Sequence, residues 1–93
     1  IKLIEYMQDK VGEVFVARIS GMNKSKIFME LENHVEVVYN IHGEQDDYLY
    51  DEENYKMINT HNGQEYTIGN TLKVFVTNAS FEKMEIEVIP YKE

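Results

Sequence analysis

Lys26-Ile27-Phe28-Met29-Glu30-Leu31-Glu32 is the stretch that decides the fold. Ile27, Met29 and Leu31 fall on one side of an extended chain, and Lys26, Phe28, Glu30 and Glu32 on the other. That period of two marks a strand with one face in a core. The same period runs upstream, where Phe15, Ala17 and Ile19 alternate with Val14, Val16, Arg18 and Ser20; Gly21 to Lys24 reads as the turn between the two. Downstream, Asn33 marks a tight turn and residues 34–41 a third strand. Residues 64–68 form a short strand, Gly69-Asn70 a turn, and residues 72–77 a strand with Leu72, Val74 and Val76 inward. After a turn over residues 80–83, residues 84–89 put Ile86 and Val88 inward and Glu85 and Glu87 outward, and Pro90 stops the strand. Five or six short strands of this kind predict an all-β fold, a five-stranded antiparallel barrel.

Two segments break the period. Ile1, Ile4, Met7 and Val11 share one face of a helix that ends before Gly12, and this stripe could pack on a preceding domain. Residues 44–54 (EQDDYLYDEEN) hold six acids and no base, with Tyr48 and Tyr50 between them. Like charges at that density favour solvated structure outside a sheet, so residues 42–63 are expected to form a long connection with at most a short helical turn. The expected organisation is a linker helix at 1–11, a barrel at 12–90 and a tail at 91–93.

Ninety-three residues suit one domain, with a small core. No apolar run approaches the roughly 18 residues needed to cross a membrane. The chain has no Cys, which excludes a disulfide framework or a thiolate zinc site. It opens on Ile1 with no signal-peptide pattern, and a cytoplasmic fragment, monomeric by itself, is the expectation. Seventeen acids against nine bases give a net charge of −8, which repels a polyanion at long range.

The residues hold little that suggests catalysis. His34, His42 and His61 are too far apart in sequence to share a helical turn, and no glycine pattern cradles a phosphate. His42, Asp46 and Asp47 could be imagined around a metal, although acids in a loop are ordinarily solvated. Neither a catalytic residue nor a metal site is therefore expected. What stands out is Phe28, turned to the solvent side of its strand between Lys26 and Glu30. An outward aromatic either packs under a loop or serves as a platform on which a nucleobase stacks. Phe75, beside Lys73, raises the same question with less support.

From Gly12-Glu13 through Phe28-Met29-Glu30-Leu31-Glu32-Asn33 to Val35-Glu36, the chain resembles the opening of an S1 domain, an RNA-binding module with the oligonucleotide-binding (OB) fold. Asp46-Asp47-Tyr48, Tyr50-Asp51-Glu52-Glu53-Asn54-Tyr55, Gly63, Tyr66 and Gly69 narrow the resemblance to the S1 domain that follows the catalytic domain of ribonuclease R, and Tyr6-Met7 resembles the helix joining the two. The resemblance implies a parent that is a bacterial 3′→5′ exoribonuclease. Its metal-binding acids, and the magnesium they hold, belong to the catalytic domain. The S1 module helps load single-stranded RNA toward that domain.

The ligand face departs from the family's pattern. Where S1 domains carry two aromatics on the second strand, this chain has Ser25 and Phe28. The family's His position is Asn40, its Asp position Ser80, and its basic position near the last strand Met84 or Glu85. Two readings follow. One is an RNA-contacting module of reduced affinity centred on Phe28, Lys26, Lys24 and Asn40, with Arg18 and Lys73 partly offsetting the acidity. The other is a barrel that has lost RNA contact and packs on its own catalytic domain or another protein through the acidic tyrosine segment.

Overall fold

The computed structural model describes residues 2–41 and 47–92. Helix α1 (Lys2–Gln8) precedes eight strands: β1 (Val14–Met22), β2 (Lys26–Leu31), β3 (Glu36–Asn40), β4 (Tyr48–Asp51), β5 (Lys56–Asn59), β6 (Glu65–Thr67), β7 (Thr71–Ser80) and β8 (Glu85–Pro90). Five of them close a barrel in the order β1-β2-β3-β8-β7.

The barrel is mixed, which corrects the expectation of a purely antiparallel one. β2 runs against β1 and β3 against β2, while β7 runs against β1 and β8 against β7. β3 and β8 therefore point the same way. When they meet to close the barrel, Val38 opposite Glu87, they can only pair in parallel. Bulges in β1 between Ile19 and Gly21, and in β7 between Val76 and Asn78, supply the local bend that closure needs.

Alternation predicts the core of four strands correctly: Ala17, Ile19, Ile27, Met29, Leu31, Val74, Val76, Ile86 and Val88 are all buried in one cluster, with Phe15 and Leu72 packed against it. Val37 and Tyr39 of β3 belong to the same cluster. Ile4 and Met7 join that cluster, because α1 lies on β7 and β8. Those two residues of the stripe are used within this domain, whereas Val11 is exposed. The chain entering β1 is clamped to β7, Gly12 N donating to Val76 O at 2.8 Å and Val76 N to Glu13 O at 3.0 Å. The third strand starts later than expected, since His34 adopts φ 67° in the turn and its N donates back to Leu31 O at 2.8 Å.

The largest difference lies in the acidic segment. Residues 42–46 fall outside the described part, but Tyr48–Asp51 is a strand, and β4-β5-β6 form a second antiparallel sheet. The short strand expected at 64–68 exists as β6 in this sheet and takes no part in the barrel. Two effects outweigh the charge repulsion. Tyr48 and Tyr50 alternate with Leu49 and Asp51, so one face of the strand is aromatic and packs on the core. The acid at the end of β4 is held locally, Asp51 Oδ2 accepting from Asn54 Nδ2 at 2.8 Å, which keeps the Asp51 carboxyl below its ordinary pKa.

Met57 and Tyr66 carry the second sheet into the barrel core. The hydroxyls of Tyr39 and Tyr48 lie 3.0 Å apart, with the two rings edge to face at 6.2 Å. Burial, with Tyr48 next to it, pushes the Tyr66 phenol up to about 12. The chain leaves this sheet through Gly69, whose φ of 94° suits glycine and whose N donates to Ile19 O at 2.8 Å, returning the backbone to β1.

Candidate nucleic-acid interface

Phe28 stands outside the barrel, 39% exposed. Its backbone is held on both sides, opposite Gly21 of β1 and Val38 of β3, and Ser20 Oγ donates to Phe28 O at 3.3 Å. The ring borders Gly21, where a Cβ would meet ring Cδ2 at 3.9 Å. Glycine therefore leaves that flank of the ring uncovered. Val38 sits outside the core cluster yet is only 4% exposed. Phe28, Val38 and Met84 line a cleft of about 420 Å³ together with Ser20, His34, Glu36 and Glu85. An exposed aromatic ring beside a buried apolar neighbour suits the flat face of a base.

A polar wall adjoins this cleft. Lys26 Nζ donates to Glu85 Oε2 at 2.7 Å. Asn40 Nδ2 donates to Glu85 Oε1 at 3.4 Å and to Glu87 Oε1 at 3.3 Å. Asn78 Nδ2 donates to Glu87 Oε2 at 3.1 Å, and Lys83 Nζ lies 3.9 Å from the same oxygen. Ser25, Lys26, Asn40, Lys83, Glu85 and Glu87 line a second, wider cleft, so Glu85 borders both. The structure thus brings Phe28, Lys26 and Asn40 together, and it ties both polar groups to carboxylates.

The other sequence candidates lie apart. Lys24 is exposed in the turn before β2, next to Asn23, whose Oδ1 accepts from the N of both Ser25 and Lys26. Arg18 is exposed on β1, opposite Glu30 of β2 and Thr71 of β7. Lys73 is on β7, opposite Val16 and further round the barrel from Phe28. Phe75 occupies a different outward row, between Val14 and Ile89.

Two members of the site escape a reading of the sequence. Val38 carries a signal that could have found it, since an apolar residue between Glu36 and Asn40 breaks the polar side of the third strand. Alternation turns Glu87 outward, but only parallel closure puts it beside Val38. Among the described residues no three His, Asp or Glu converge to hold a metal, and Asp47 pairs with His61. His42 and Asp46 lie outside the described part.

Lys26 and Asn40 hold the Glu85 carboxyl below its ordinary pKa of 4.5, the Lys26 bond contributing most. A lowered carboxyl pKa stabilises the fold above 4.5, and that stabilisation disappears as the pH falls through the folded value. The side chains are 35% and 21% exposed, so solvent screens the pair and about 0.2–1 kcal/mol is expected from it. Glu85→Gln should cost that amount in urea denaturation at pH 7 and less near pH 3. An equal cost at both pH values would assign the effect to packing instead.

No protein-family model matches the chain. Ribonuclease R 2 of Lactococcus lactis is 33% identical over 91 residues, which is 94% of this chain and 14% of the relative. Ribonuclease R of Thermotoga maritima is 29% identical over 94 residues, covering all of this chain and 13% of its own length. The chain therefore spans about a seventh of the curated relatives it matches. Among solved structures, Mycoplasma genitalium RNase R in complex with ribose methylated single-stranded RNA superposes with a TM-score of 0.82 over 95% of this chain and 14% of its own, at 19% identity. The apo form of the same protein gives 0.80 over 92% of this chain, likewise 14% of its own. In sequence and in fold, the chain is ribonuclease R-like, similar to one stretch of those proteins.

Proposed function

We propose that this domain holds single-stranded RNA weakly on the Phe28 face and helps feed it toward the catalytic domain of a ribonuclease R-like 3′→5′ exoribonuclease in the bacterial cytoplasm. Hydrolysis belongs to acids and magnesium in that domain. The observation that carries the reading is the exposed ring of Phe28, next to its cross-strand partner Val38 in an open cleft, with Lys26 and Asn40 on the same face. A solved relative of the same fold is described with single-stranded RNA bound, which supports the choice of ligand. Low affinity follows from the charges. The net charge is −8, and Lys26 and Asn40 are tied to Glu85 and Glu87.

The rival reading has less support in the geometry. Tyr48 and Tyr50 pack against this domain's own core, so these rings are largely used up inside the domain. Fluorescence anisotropy with a labelled single-stranded RNA dodecamer tests the proposal. About three phosphate contacts by Lys24, Lys26 and a neighbouring base would weaken binding roughly tenfold or more between 50 and 200 mM salt. Absence of binding at millimolar RNA, or affinity indifferent to salt, would discard it.

A further inference from the structure

We propose that Glu85 makes the Phe28 cleft select bases that carry an exocyclic amino group over uracil. The inference rests on the reading that this cleft holds RNA, and it adds which bases it prefers. Glu85 is the residue shared by the cleft of Phe28 and the polar cleft of Lys26. Its two oxygens are unequally used. Oε2 is taken by Lys26 at 2.7 Å, whereas among the described residues Oε1 has only a long bond from Asn40 at 3.4 Å. A carboxylate oxygen has two lone pairs, so Oε1 keeps accepting capacity toward the cleft. Its carboxyl pKa is lowered from 4.5, so it is anionic near neutral pH.

A base stacked on Phe28 meets this wall with its edge, and the wall presents an acceptor, Glu85, fixed beside a donor, Lys26. Cytosine and adenine each offer an amino group next to a ring-nitrogen acceptor, which matches that order. Guanine offers N1–H and N2–H side by side for the carboxylate and O6 for the ammonium. Uracil can give its one N–H to the carboxylate and a carbonyl to the ammonium, but that N–H is set between two carbonyl oxygens, so the second carbonyl flanks the carboxylate whichever face of the ring is stacked. Side-chain acceptors at amino edges are an established means of base discrimination. Binding by stacking alone is largely indifferent to the base, so a preference here would come from this wall.

Cytidine and uridine dodecamers isolate the effect, because the two rings are alike in size and differ in this edge. In the intact domain the cytidine oligomer should bind roughly five- to tenfold more tightly. Glu85→Gln should bring the ratio near one, since a carboxamide can turn either its oxygen or its nitrogen to the base. Removing an acid can raise affinity for every RNA, so the ratio is the readout. Glu53→Gln, in the turn after β4, supplies the charge control and should leave the ratio intact. Equal affinities in the intact domain, or a ratio that survives Glu85→Gln, would overturn the inference while leaving RNA binding standing. Failure of both oligomers to bind would overturn it together with the function proposed above.

Discussion

Met57→Asp should unfold the domain, although Met57 belongs to a segment that looks like a solvated acidic excursion. Met57 is 0% exposed and lies in the same buried cluster as Ile27, Leu31 and Val76. Truncating a buried Met costs about 2–5 kcal/mol through lost transfer energy and the cavity left behind. A carboxylate adds the penalty of a buried charge without a partner. A domain of this size has about 5–15 kcal/mol to lose. The loss should therefore be close to the whole stability, read as a collapsed urea midpoint or an NMR spectrum of an unfolded chain. Leu49→Asp is the control, since Leu49 lies on the adjacent strand β4 but is 59% exposed, and a change within about 0.5 kcal/mol is expected there. A folded Met57→Asp domain would mean that β4-β5-β6 rests on the barrel without sharing its core.

Met57 also marks the border between what is legible in the sequence and what is not. Alternation in residues 14–20 and 26–32 identifies the fully buried residues of those strands, because a one-residue slip would send the whole set to solvent. The acidic run misleads because six negative charges are conspicuous, while the alternation of Tyr48 and Tyr50 covers only two positions. Repulsion between exposed acids is weak in water, and pairing with β5 outweighs it. Once residues 64–68 are taken for a barrel strand, strand direction comes out wrong, and parallel closure cannot be foreseen. The same closure hides the site's electrostatics. Lys26 and Glu85 are 59 residues apart, and no local pattern reports that they meet. Phe28 is legible because its exposure follows from its own strand alone.

Phe28→Ala should weaken binding of single-stranded RNA without unfolding the domain. The ring lies outside the core cluster, and the backbone ladder on both sides of β2 does not depend on it. A stacked base is worth about 1–3 kcal/mol, equivalent to a loss of roughly five- to 150-fold in affinity. Phe75→Ala is the matched control. It removes another outward phenylalanine, from the row between Val14 and Ile89, away from Lys26 and Asn40. Any general effect of lost apolar surface should appear in both variants, and a stacking contact in only one.

The decisive measurement is the dissociation constant of a labelled single-stranded RNA dodecamer for the unaltered domain, Phe28→Ala and Phe75→Ala at 50 mM salt. The expected result is a loss of at least roughly fivefold for Phe28→Ala and none for Phe75→Ala, with both variants folded. Equal affinities for the unaltered domain and a folded Phe28→Ala, or a loss confined to Phe75→Ala, would contradict the placement of RNA on the β2–β3–β8 face.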